Sequence, residues 1–240
     1  MIHTGQLHYV PMSWPIYALL FIALSILTVL IQIGLMRFVY SRLGISPGTA
    51  MLLLFASLLG SYVNIPVTYL PAVRKSIDIF GDGDIVLPDA DWSGTLIAIN
   101  LGGAVIPILL SLFLLVKNRI WLPAIIATAV VSVVCHAVAK PVEGAGIAIP
   151  VFIPPVAACI VSCLVAWRQA APVAYVSGSL GTLIGADLMN FASIRELGTP
   201  IASIGGAGTF DGIFVTGIFA VILASLIGAI SPGNHAKDAA

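Results

Sequence analysis

The sequence predicts an all-α integral membrane protein of seven transmembrane helices, some of them interrupted by Pro and Gly. Three observations carry that reading. Sixty per cent of the 240 residues are hydrophobic and 8% are charged, against roughly a quarter charged in soluble domains. Apolar runs of about 20 residues, enough to span a hydrocarbon layer roughly 30 Å thick, recur along nearly the whole chain. The breaks between them hold the Pro, Gly and charged residues that end helices. A single polytopic domain over residues 1–240 follows, with the lipid bilayer as its main partner.

The expected spans are 14–36, 48–64, 94–116, 120–138, 146–167, 172–191 and 208–230. The first has no basic segment before it and no small-residue cleavage pattern behind it, so it reads as a retained helix and not as a signal peptide. The second ends on NIP, 64–66, and the third contains INLGGAVIP, 99–107; each joins an Asn to Gly or Pro and a loosened backbone. Between them lies the only sizeable loop, 71–93, which carries five of the ten acids. Its DGD and DAD lack the full ladder and closing Glu of a calcium loop, so it reads as a solvated acidic loop. The fourth span ends at His136, with Lys140 and Glu143 just beyond. In the fifth, Pro150, Pro154 and Pro155 each remove an amide donor, and a kinked or broken helix is expected. The sixth closes on Asp187 and Asn190, and the seventh opens at Asp211.

Seven spans put the termini on opposite sides, and alternate loops must share a face. With the amino terminus outside, the inner side holds six basic residues (Arg37, Arg42, Lys117, Arg119, Arg168, Lys237) and the outer side four (Arg74, Lys75, Lys140, Arg195). The positive-inside rule therefore places the amino terminus out and the carboxyl terminus in. Loops 71–93, 139–145 and 192–207 lie together on the outer face. The net charge is zero and the longest basic tract is Arg74-Lys75, which argues against nucleic acid as a partner.

Asn64, Asn100, His136, Asp187, Asn190 and Asp211 all fall in the outer third of this arrangement. A carboxylate in hydrocarbon costs roughly 3 kcal/mol on insertion scales, so acids within spans face a bundle interior or a cavity. Asp187 and Asp211 stand on consecutive antiparallel spans at matching depth, joined by a Gly-rich connection. Two carboxylates in a shielded pocket share a proton. Such a pair can activate water and protonate a leaving group, or carry a proton or cation through a transporter. The leading expectation is an aspartyl-type intramembrane hydrolase with Asp187 and Asp211 catalytic; the alternative is a transporter or channel for a small solute or ion using the same acids. Asn64, Asn100, His136, Glu143, Asn190 and Gly208 are the expected binding positions around them, for a small-molecule or peptide substrate. A third reading, a scaffold or assembly factor for which neither acid matters, stays open; in it Asp211 caps the first turn of the seventh helix and gains from its dipole.

Neither cofactor nor metal is expected. His136 has no second His within four residues, as a zinc site would need, and the sequence contains no Gly-x-Ser-x-Gly elbow, nucleotide loop or haem motif. Cys135, Cys159 and Cys163 read as small helix-packing residues; Cys159 and Cys163 sit four apart on one helix, a spacing that rarely meets disulfide geometry.

Four segments carry a resemblance. INLGGAVIP, PVEGAGIAIPVFIPP, GTLIGADLMN and IGGAGTFDGIFVTGIFAVILA resemble an uncharacterised bacterial and archaeal membrane-protein family, a domain of unknown function. The likeness runs from about residue 15 to 230 and implies a polytopic protein of a prokaryotic cell membrane, without an activity. In addition, GTFDGIFVTGIF is similar to the Gly-x-Gly-Asp helix of presenilin and signal peptide peptidase. That similarity implies an intramembrane aspartyl protease in which Asp211 is one acid and Asp187 its partner. The sequence departs from that pattern at Phe210, which stands in place of the second Gly, and at Ala186, where a Tyr precedes the partner acid. No Pro-Ala-Leu helix follows.

Overall fold

The computed structural model describes residues 14–71, 76–77, 85–86, 94–142, 146–196, 200–206 and 212–230. Among them are seven α-helices: α1 (Trp14–Arg42), α2 (Pro47–Gly60), α3 (Ile106–Asn118), α4 (Trp121–Val138), α5 (Ile153–Val165), α6 (Ala170–Thr182) and α7 (Gly212–Ile230). Three helical stretches, Phe21–Arg42, Leu101–Asn118 and Trp121–Val138, are long and apolar enough to cross a membrane. The expected all-α architecture needs correction, because strands are also present: β1 (Asn64–Pro71), β2 (Ser76–Ile77), β3 (Ile85–Val86), β4 (Gly94–Asn100), β5 (Lys140–Val142), β6 (Gly146–Ala148) and β7 (Ile201–Ile204).

The largest correction falls on the third expected span. Residues 94–100 are not helical: they form β4, pairing antiparallel with β1 and parallel with β7 to give a three-stranded sheet in the order β1-β4-β7. Thr95, Ile97 and Ile99 are β-branched, which favours a strand, and a short buried apolar run cannot be told from a helix by hydropathy alone. A π-helical segment, Leu101–Val105, then leads into α3. The sixth span likewise finishes in a π-helical segment, Leu183–Leu188. In the fifth, Pro154 and Pro155 do not interrupt a helix but lie in the opening turn of α5, where their missing amides would have had no intrahelical partner anyway.

α6 is the hub. It is buried along nearly its whole length and packs against α3, α4, α5 and α7. Small residues make that possible. Gly181 and Gly185 lie four apart, so both present bare backbone to α4: a Cβ on Gly181 would come within 2.6 Å of a Val131 methyl, and one on Gly185 within 2.7 Å of the Cys135 Cβ. This is the small-x-x-x-small device by which helices approach closely where lipid, not water, surrounds them. Beside it, Tyr40, Leu43, Leu110, Leu114, Val173, Tyr175 and Val221 form the main apolar core. Most of α1 has no such cover and leaves Leu19, Phe21, Leu24 and Ile31 exposed.

The two ends of the bundle differ. The strands all lie at the end where α2, α4 and α6 finish and α3, α5 and α7 begin, so the described parts of three alternate connections meet there. Ile97, Leu70, Ile147, Phe191 and Ile204, drawn from all three, form a small apolar cluster at this end. At the opposite end are tight turns only, tied together by Lys117 Nζ donating to the Gly44 carbonyl and by Gln169 Nε2 donating to the Asn118 carbonyl at 3.3 Å.

Gly185→Ala pushes a methyl against the Ser132 carbonyl and Cys135 and is expected to destabilise the fold by about 1–3 kcal/mol, the cost of overpacking. Gly34→Ala meets no neighbouring atom within 4 Å and should be neutral. Equilibrium unfolding of the two detergent-solubilised variants checks the contrast.

Candidate functional site

At the strand-bearing end, one side chain ties three elements together. Asn100 is the last residue of β4 and only 1% exposed. Its extended backbone (φ −74°, ψ 129°) puts its Oδ1 in place to accept the Gly103 amide at 2.8 Å, capping the π-helical segment that begins α3. Its Nδ2 donates to the Ser61 carbonyl at the end of α2 (2.8 Å) and to Asn64 Oδ1 at the start of β1 (3.0 Å). A second link runs alongside, with Ser57 Oγ donating to the Gly102 carbonyl at 2.9 Å and Ser61 Oγ to the Ser57 carbonyl at 2.8 Å. Gly102 permits this approach, since a Cβ there would collide with Ser61 Oγ at 2.6 Å.

The chain of polar contacts continues toward the acid. Ser203 on β7 donates its hydroxyl to Asn64 Oδ1 at 2.6 Å. Two residues on, Gly205 donates its amide to Asp187 Oδ2 at 2.7 Å. Gly205 has φ +93°, a conformation that side-chain-bearing residues rarely adopt, and a Cβ there would lie 2.6 Å from that of Ala104. Asp187 itself is half-buried in the π-helical end of the sixth span. Thus the segment 201–206 joins Asp187 to the Asn64–Asn100 pair, and both π-helical segments flank it through buried Ala104 and Leu183, which pack with Ile213 of α7. Single-turn π distortions recur at functional sites because they re-aim side chains and free backbone groups.

The expected site residues divide into three groups. Asn64, Asn100 and Asp187 share this hydrogen-bonded arrangement. Asn190 is close in sequence but spends its Nδ2 on the Gly185 and Ala186 carbonyls at 2.9 and 3.0 Å, closing the π-helical segment. His136 is exposed on the last turn of α4 and is not brought into the arrangement. Asp211, Glu143 and Gly208 lie outside the described residues. Sequence reasoning missed Ser57, Ser61 and Ser203, although the i, i+4 spacing of the first two within an apolar helix was a readable signal. Among the described residues, no three His, Cys, Asp or Glu side chains gather as metal ligands would. A hollow of about 630 Å³ bounded by Pro123, Val165, Ala166, Trp167, Arg168 and Gln169 lies at the other end of the bundle, away from Asp187.

Fold and site together define a mostly helical chain with membrane-length apolar helices and a polar, strand-stitched end that holds the half-buried Asp187 in its hydrogen-bond chain. The chain belongs to the family described as protein of unknown function (DUF1614), whose profile matches residues 58–223. No curated protein and no solved structure matches it, so the comparisons lend no support to the likeness to presenilin and signal peptide peptidase. The family match covers β1, β4, both π-helical segments, β7 and most of α7, so the arrangement around Asn100 and Asp187 lies inside it.

Asn100→Ala strands the Ser61 carbonyl and the Gly103 amide without their side-chain partner. It is expected to cost about 1–3 kcal/mol of stability for each group left buried and unpaired. Asn64→Ala should cost less, because Asn64 is exposed and water replaces it. Denaturant titration of both variants in detergent measures the difference.

Proposed function

We propose that this is a multi-pass integral membrane protein, amino terminus out, that moves a small solute or ion using Asp187 as its proton- or cation-binding group. The observation that carries the proposal is the 2.7 Å hydrogen bond from the Gly205 amide to the Asp187 carboxylate. An ionised carboxylate accepts such a bond roughly twice as strongly as a neutral group. Taking up a proton or cation weakens it and releases Gly205, and with it the segment 201–206 that links β4 to the start of α7. Occupancy of the acid is thereby coupled to movement of a connection between two spans.

Two further features support this reading. The third and sixth spans each change from α to π-helical geometry beside the acid, and the third continues as extended strand. Discontinuous spans with exposed backbone are how many transporters build substrate and ion sites. Non-helical backbone at membrane depth is tolerated when other protein satisfies it, and here β4 is paired on both sides, by β1 and β7. The shorter apolar helices, such as Ile153–Val165, fall short of a full span by themselves; the seven-span reading completes them with the strands and turns at their outer ends. The hydrolase alternative needs Asp211 as a second acid within reach of Asp187, and Asp211 lies outside the described residues.

Reconstituted into liposomes holding a pH-sensitive dye and exposed to a panel of small solutes and ions, the protein should give a solute-dependent proton movement. Asp187→Asn should abolish it while the purified variant stays folded. Uptake that persists in Asp187→Asn removes the proposal; peptide cleavage lost in both Asp187→Ala and Asp211→Ala would establish the hydrolase in its place.

A further inference from the structure

The end of the bundle opposite the strands carries a different kind of surface. Three turns meet there: α1 to α2, α3 to α4, and α5 to α6. They bring Arg42, Lys117, Arg119 and Arg168 to one end, all exposed, and residues 42–46, 117–121 and 166–169 contain no Asp or Glu to balance them. The cross-turn hydrogen bonds from Lys117 to Gly44 and from Gln169 to Asn118 hold these turns against one another, so the positive charge is concentrated and not scattered.

Arg119 adds a second observation. It caps α3 with φ 53° and ψ 39°, in the left-handed region. That position ordinarily falls to Gly or Asn, which enter it at little cost. An Arg kept there sets a guanidinium on the turn whose Asn118 carbonyl receives Gln169. Gln169, in turn, lines the hollow of about 630 Å³ with Trp167, Arg168 and Pro123. Next in sequence to its lining residues, Leu122 of α4 is 71% exposed and Leu164 of α5 is 80% exposed.

We propose that this hollow is a binding site for an anionic phospholipid, its phosphate held by Arg168, with Arg119 on the adjoining turn adding positive charge, and its acyl chains lying along the exposed faces of α4 and α5. Charge complementarity selects the headgroup: a basic pocket between helices at the inner membrane surface suits acidic lipids. The apolar part of the hollow's floor, Pro123, Val165 and Ala166 with half-exposed Trp167, lies beside Arg168 and Gln169; this suits a molecule that is apolar below and charged above, since indole rings favour the headgroup level. A free phosphate would use the arginines and leave the floor bare. The inference rests on the membrane reading above and is independent of transport.

The test uses the full chain purified in dodecyl maltoside, with its melting temperature followed as dioleoyl-phosphatidylglycerol, dioleoyl-phosphatidylcholine or inorganic phosphate is titrated in. Phosphatidylglycerol should raise the melting temperature by several degrees more than phosphatidylcholine, and inorganic phosphate should not reproduce the rise. Arg119→Gln with Arg168→Gln should weaken the phosphatidylglycerol half-saturation at least fivefold, whereas Lys140→Gln on β5, at the strand-bearing end, should leave it unchanged. If the double variant does not fold, Arg168→Gln alone should show a weakening in the same direction. Equal response to both lipids, wild-type titration by the arginine variants, or a full response to phosphate alone would overturn the site. Failure of the protein to co-float with phosphatidylcholine vesicles after reconstitution would overturn the membrane reading and this inference with it; loss of transport with the lipid response intact would count against the transport reading only.

Discussion

The amide of Asn100 is the interaction on which the polar end of this molecule depends. A buried carboxamide is costly unless its donors and acceptor are used, and here they are used on the three pieces of chain that must meet: the end of α2, the start of β1 and the π-helical lead into α3. Because Asn64 accepts from Asn100 and from Ser203 on the same oxygen, the position of β7 is referred back to Asn100. Asp187 is then positioned through Gly205. The acid is thus held by a relay of contacts from a residue on a different span, and not by packing in its own helix alone.

Much of the organisation was legible in the composition and the breaks. Apolar length located seven helical segments because so apolar a chain has few polar residues to blur them, and the alternation of connections places Asn64, Asn100 and Asp187 at one end in the sequence reading, where hydrogen bonds link them through Ser203 and Gly205. What could not be read was the strand character of 94–100. In a chain this apolar the alternation that marks a half-exposed strand is absent, since β4 is buried on both faces. Hydropathy therefore extended a helix through it. The π-helical segments were equally silent: LGGAV and LIGADL differ little from an ordinary helix in composition. The prolines of the fifth span misled for a related reason, because a Pro pair signals either a break or a beginning and the sequence alone does not say which.

The contrast between the two ends gives the described bundle a polarity. One end is stitched by neutral amides and hydroxyls that reach Asp187, with backbone paired into strands. The other is bare turns carrying arginine and lysine, with no Asp or Glu among the described residues of those turns. Between them α6, lined with Gly and Ala, lets four helices converge without bulky side chains to hold them apart.

The parallel pairing of β4 with β7 joins residues about a hundred positions apart, from Leu96 with Ile201 to Ile99 with Ile204. Contacts so distant along a chain form late, because the intervening loop must be closed first. During synthesis the ribosome has to pass β7 before β4 gains its second neighbour, so until then β4 keeps one strand edge open. The acid's surroundings are therefore completed only when residues 201–206 are made: a nascent chain halted before β7 has α1 to α6 and Asp187, but neither Ser203 nor Gly205 to close the relay.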